Sequence, residues 1–178
     1  LFFKFFVDTE VTHGCMINYE RNDDMSKILF INSSPNKDGN TYRIGEQLLE
    51  NLDHEVLQMS DYRISQYGQV YADDEMKEVM AKIDQVDTLV IGAPVYWYTV
   101  GGMLKTFIDR LYQLPEALVL KGKKLYLFAQ GSAPDSATEN QVQFLASRVA
   151  YLMGMDLKGV VVDHSLGSKI LSQLTIES

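Results

Sequence analysis

From Lys27 onward, short continuous apolar runs alternate with stretches in which apolar residues recur every three or four positions. The runs are Ile28-Leu29-Phe30-Ile31, a weaker Glu55-Val56-Leu57-Gln58-Met59, Thr88-Leu89-Val90-Ile91, Leu125-Tyr126-Leu127-Phe128-Ala129 and Gly159-Val160-Val161-Val162. Between them, Ile44, Leu48 and Leu52 share one helical face. Met76, Val79, Met80 and Ile83 share another, and Leu104, Phe107, Ile108 and Leu111 a third. Val142 to Met153 predicts a further long helix, and Ile170, Leu171 and Leu174 a short one in the tail. Continuous rather than alternating apolar runs mark strands covered on both faces, so the pattern predicts a parallel sheet between two helical layers.

Strand starts near 28, 55, 88, 124 and 158 lie about one βαβ unit apart. The expectation is one α/β domain over residues 25–178: a three-layer sandwich whose five-stranded parallel sheet has the flavodoxin-like order 2-1-3-4-5. Residues 1–24 break the pattern. They open Leu-Phe-Phe-Lys-Phe-Phe-Val and turn polar and acidic without a period, lacking the build of a signal peptide. Met25-Ser26-Lys27 then leads straight into the first strand. Residues 1–24 are therefore expected to be a non-native leader translated from a mis-set start, the alternative being a disordered N-terminal arm.

Composition narrows the function classes. The 178 residues are 46% apolar and 22% charged, enough to bury a core and too apolar for a disordered chain. No apolar run approaches the roughly 18 residues of a bilayer span. The net charge of −8, of which residues 25–178 carry −5, excludes a nucleic-acid binder working through a basic face. The single cysteine, Cys15, excludes an internal disulfide, a four-cysteine zinc site and an iron–sulfur cluster. His54 and His164 have no acidic or cysteine partner at metal-ligand spacing, and Asp73-Asp74-Glu75 reads as a solvated helix start. No metal is expected, and the location expected is cytoplasmic.

An open parallel sheet binds ligands at the carboxyl ends of its strands, beside the switch point between the first and third. Three loops therefore belong together. After Ile31 comes Asn32-Ser33-Ser34-Pro35-Asn36-Lys37-Asp38-Gly39-Asn40-Thr41, whose Ser34, Asn40 and Thr41 side chains, Gly39 and following helix N-terminus suit a phosphate. After Ile91, Pro94-Val95-Tyr96-Trp97-Tyr98 places three aromatics in a row. They suit a flat heteroaromatic ligand or an aromatic dimer patch, and the residues alone leave both open. After Ala129, Gly131 and Ser132 would form a third wall. Asp109-Arg110 reads as a structural ion pair or helix-end contact.

Asn32-Ser33-Ser34-Pro35 with Gly39-Asn40-Thr41 resembles the phosphate loop of the NAD(P)H-dependent FMN reductase family, G-S-P-R-x-x-G-N-T. Pro94-Val95-Tyr96-Trp97 followed by Gly102, Leu104-Lys105 and Ile108-Asp109-Arg110 resembles its second motif. The resemblance, from Lys27 to Val162, implies a flavodoxin-like fold, non-covalent FMN, and NADH or NADPH as co-substrate. It implies that Ser34, Asn36, Gly39, Asn40 and Thr41 hold the phosphate. It also implies that Pro94, Val95, Tyr96 and Trp97 meet the isoalloxazine edge, with Gly131 and Ser132 closing the other side. Asn36 stands where the family carries Arg, which removes a bidentate charge partner. Many relatives have a cysteine cluster where this chain has Ile64-Ser65-Gln66-Tyr67-Gly68-Gln69.

The expected function is hydride transfer from NAD(P)H through flavin to a quinone, azo, nitro or flavin acceptor, by a homodimer without nucleic-acid or membrane partners. The flavin carries the chemistry and no side chain is expected to be catalytic. The alternative is a flavodoxin-type electron carrier without a substrate of its own. A receiver-type signalling domain is excluded, because Asn32-Ser33 and Gly92-Ala93 occupy the positions its acidic residues need.

Overall fold

A computed structural model describes residues 27–112 and 114–177. The expectation for residues 1–24 lies outside them. The elements follow the sequence pattern in order: β1 (Ile28–Asn32), α1 (Asn40–Leu48), β2 (His54–Gln58), α2 (Met76–Asp84), β3 (Thr88–Tyr96), β4 (Thr99–Val100), α3 (Gly102–Arg110), β5 (Lys124–Gly131), α4 (Ser136–Met153), β6 (Asp156–His164) and α5 (Ser168–Gln173). Single 3₁₀ turns follow β2 (Met59–Asp61) and α3 (Pro115–Leu120).

The parallel strands run in the order β2-β1-β3-β5-β6. This is the expected 2-1-3-4-5 once the short β4, which pairs antiparallel with β3, is set aside. β1 and β3 are in register from Ile28 opposite Thr88 to Asn32 opposite Gly92. The switch point thus lies between two strand ends that carry small polar residues and glycine.

Each face of the sheet has its own core. Leu29, Ile31, Leu89, Ile91, Leu125 and Leu127 point to α2, α3 and α4, where Val79, Ile83, Leu104, Phe107, Val142 and Ala146 meet them. Phe30, Val90, Tyr126 and Phe128 point the other way, onto Ile44 of α1 and Ile170 of α5. The alternation along β1, β3 and β5 explains why their apolar runs are continuous.

Two elements begin or extend beyond their sequence signals. α4 starts at Ser136, ahead of the apolar period, because the Asp135 carboxylate accepts from the Thr138 N–H at 2.8 Å and so caps the helix. β3 continues through the expected loop to Tyr96 and returns as β4, with Val95 opposite Val100 and Tyr96 opposite Thr99. The aromatic segment is therefore a hairpin, not an irregular loop.

Candidate functional site

The three loops singled out in the sequence meet at the carboxyl end of the sheet. Ser33 ties the first to β3, its N–H and Oγ both donating to the Gly92 carbonyl, at 2.9 and 2.7 Å. Thr41 joins α1 to β5, its Oγ1 accepting from Gln130 Nε2 at 2.9 Å. A Cβ on Gly131 would sit 2.9 Å from Val95 Cβ, so the third loop lies close against the hairpin.

The first loop is held from below by its carbonyls. The Ser34 carbonyl accepts from Gln58 Nε2 at 2.7 Å, and the Asn36 carbonyl from Asn32 Nδ2 at 3.4 Å. The Asp38 carbonyl accepts from Arg43 Nε at 3.0 Å. Asn32 Oδ1 accepts the Ser34 N–H, and Ser34 Oγ the Asn36 N–H. With these carbonyls tied to side chains, the N–H groups of Lys37, Asp38 and Asn40 have no acceptor among the described residues. α1 begins directly after them with Gly39 as its N-cap and no side-chain cap. An uncapped helix start continuous with free loop N–H groups is a donor set for an anion, and the dipole of α1 adds to it.

Of the residues expected to bind phosphate, Asn36 and Asn40 are exposed, Gly39 is half-buried and Ser34 is buried beneath Asn36. Thr41 lies in the first turn of α1. It is fully buried, with its hydroxyl accepting from Gln130 and its methyl group packed at Gly92. In this arrangement it holds the crevice wall and does not reach its surface. Lys37 forms an ion pair with Asp61, so the lysine in the loop is already partnered.

The second wall is the hairpin. Pro94 is buried against Gly101, Val95 is half-buried, and the rings of Tyr96, Trp97 and Tyr98 are exposed, Trp97 by 93%. Trp97 and Tyr98 have φ of 50° and 62°. Two left-handed central residues form a type I′ hairpin turn, where Asn-Gly is usual, so two bulky residues here are held at a cost in strain. Exposed rings on a strained two-residue turn are an expensive arrangement for stability alone.

The third wall is Gly131, half-buried, and Ser132, exposed, with the Ser132 carbonyl 3.2 Å from His164 Nδ1. Asp135 follows. The N–H and hydroxyl of Thr138 hold its carboxyl below the ordinary carboxylate range.

The remaining sequence candidates are structural. Arg110 donates to both Asp74 oxygens, at 2.5 and 3.1 Å, and to the Ser65 carbonyl at 3.0 Å. The guanidinium and the Ser65 N–H hold the Asp74 carboxyl well below its usual range. Asp73 and Glu75 are bonded by the Arg63 side chain and N–H, so the acidic run is an anchor and not merely solvated. His54 lies between Glu46 and the Leu52 carbonyl. No cluster of three metal-ligating side chains occurs among the described residues.

Sequence reading missed Asn32, Gln58 and Gln130. Their signal was a polar residue closing a strand: Asn32 is 0% and Gln130 8% exposed. A buried amide at that place has to find partners, and the nearest are in the candidate site's loops.

The profile of the NADPH-dependent FMN reductase family matches residues 26–165. The chain is 26% identical over 151 residues to a putative NAD(P)H-dependent FMN-containing oxidoreductase of Bacillus subtilis, covering 76% of this chain and 83% of that one. It is 30% identical over 126 residues to an FMN-dependent NADH:quinone oxidoreductase of Dechloromonas aromatica, covering 64% of this chain and 61% of that one. The solved structure of the Trp repressor binding protein from Bacillus subtilis superposes with a TM-score of 0.64 at 25% identity, over 77% of this chain and 83% of that one.

Proposed function

The chain belongs to the NADPH-dependent FMN reductase family and is an FMN-dependent NAD(P)H oxidoreductase; from this premise we propose that it passes reducing equivalents from NADH or NADPH to a quinone. The observation that carries the reading is the anion cradle of the first loop. Its carbonyls are tied down, the N–H groups of Lys37, Asp38 and Asn40 are free and the helix behind it is uncapped. This donor set fits a phosphate monoester. The aromatic hairpin and the Gly131–Ser132 loop stand beside it at the same end of the sheet, with Gly131 close against Val95, and would border a flat ring carried by that phosphate.

When bound, the flavin supplies the reversible two-electron chemistry. The chain's residues do the rest. The N–H groups of Lys37, Asp38 and Asn40, with the start of α1, hold the phosphate. Asn36 and Asn40 add neutral donors beside it. Pro94 and Val95 fix the hairpin against Gly101 and Gly131, so that Tyr96 and Trp97 would border the ring. The quinone-reducing relative supports the acceptor class.

Among the described residues, no helix is long and apolar enough to cross a membrane. We place the activity in the cytoplasm, where reduced nicotinamides are kept. We also propose a homodimer through the outer face of α3, where exposed Tyr67, Tyr112 and Leu152 border a groove of about 730 Å³. Exposed tyrosines on such a face favour an interface.

The test is spectroscopic. Under anaerobic conditions, excess NADH or NADPH should bleach the flavin absorbance within seconds, and an added quinone should restore it repeatedly. Failure of both nicotinamides to bleach it would favour the electron-carrier reading.

A further inference from the structure

We propose that Gln58 and Gln130 are positioning residues that clamp the two ends of the phosphate-binding loop from the strands on either side. The inference rests on the reading of that loop as an FMN-phosphate site. Gln58 closes β2 and Gln130 lies near the end of β5, so the two amides flank β1 and β3 at the switch point.

At the β2 end the chemistry allows one arrangement. The Ser34 carbonyl can only accept, so the Gln58 corner facing it at 2.7 Å is the amide nitrogen. The Ser34 N–H can only donate, so Asn32 presents Oδ1 to it at 3.2 Å. Asn32 Nδ2 is then left to donate to Gln58 Oε1 at 2.6 Å and to the Asn36 carbonyl. Gln58 Nε2 also donates to Ser60 Oγ at 2.7 Å. Both amides have partners for their oxygen and nitrogen, and this interlocked set fixes the Ser34 and Asn36 carbonyls inward.

At the β5 end Gln130 is 8% exposed and donates to the hydroxyl of Thr41, the second residue of α1. The N–H groups at the start of a helix have no acceptor inside it. Fixing Thr41 therefore fixes the direction in which they point. One amide holds the beginning of the loop and the other the first helical turn, and the free N–H groups of Lys37, Asp38 and Asn40 lie between. Neither glutamine is assigned a contact with the ligand. Each acts through Ser34 or Thr41.

Riboflavin carries the same ring as FMN and lacks the phosphate, so it separates positioning from general structural support. Dissociation constants for both are measured by flavin fluorescence quenching on the wild type, Gln58→Met and Gln130→Met, with the Tm of each apoprotein alongside. Methionine keeps the side-chain volume and removes the amide. Each variant should bind FMN about tenfold more weakly, the effect of a lost buried hydrogen bond, while its riboflavin affinity stays at the wild-type value. An FMN-to-riboflavin preference that stays at the wild-type level in either variant overturns the clamp, whether both affinities fall or neither does. If a methionine variant does not fold, Gln58→Leu and Gln130→Leu remove the amide without adding charge and are read by the same preference. A wild type that binds FMN and riboflavin equally overturns the phosphate reading itself, a result distinct from failure of the clamp.

Discussion

At Gly45 two opposing residue-scale effects can be weighed. It lies inside α1, where alanine would favour the helix by about 1 kcal/mol. A Cβ there would fall 2.1 Å from Phe30 Cζ, on a ring already stacked against Tyr42 and Phe128. Overpacking a filled core costs about 1–3 kcal/mol or more, and at this distance the ring cannot yield without moving its neighbours. Gly45→Ala is therefore expected to lower the Tm by about 5 °C in a thermal melt, where helix propensity alone would raise it. Gly92 follows the same logic beside the site, since a Cβ there would meet both Phe128 and Thr41.

At the scale of elements, the hairpin and the α2–α3 anchor make opposite trades. The Trp97–Tyr98 turn keeps two bulky residues left-handed, at about 1 kcal/mol or more each. Trp97→Asn with Tyr98→Gly gives the turn the residues it favours. We expect a higher Tm together with slower reoxidation by quinone in stopped flow, because the rings bordering the crevice are lost. An unchanged quinone rate would show that the strain serves no part of the reaction.

The Asp74–Arg110 pair, with both side chains more than 80% buried, joins the start of α2 to the end of α3. Arg110→Met leaves that carboxylate without its cation and is expected to cost about 2–3 kcal/mol at neutral pH. Asp74 has a folded-state pKa depressed chiefly by Arg110. Its stabilisation is therefore fully present above the ordinary carboxylate range and is lost as pH falls below it. Urea melts of wild type and variant should differ by a constant amount from pH 7 to about pH 5, the gap narrowing only below about pH 4. A gap that closes already at pH 6 would contradict the assignment to Asp74.

For the whole molecule, the proposed homodimer is tested by sedimentation equilibrium, where the mass should be twice that of the chain. Leu152, exposed at the groove beside α3, gives the control. Leu152→Glu places a charge in the apolar contact and should return the mass to that of a monomer with its Tm little changed. A wild type that is monomeric at all concentrations would refute the dimer.

The order of elements, the parallel sheet and the place of the crevice are all legible in the sequence. They depend on period and spacing, which survive without knowledge of neighbours: a run such as Leu125 to Ala129 announces burial on both faces by itself. The three loops that meet at the carboxyl end of the sheet are legible the same way, because strand ends at a switch point follow from topology. Tertiary structure decided what each polar residue there does. Thr41 turned inward to Gln130, Asp74 was claimed by Arg110, and the amides of Asn32 and Gln58 interlocked under the loop. The aromatic segment became a hairpin only through pairing with Thr99 and Val100. Hydrophobic burial is a property of a side chain and its period, and can be read locally. A hydrogen bond needs a partner at a set distance and angle, and the partners that claim Asn32, Asp74 and Thr41 stand 26 to 89 positions away in the chain.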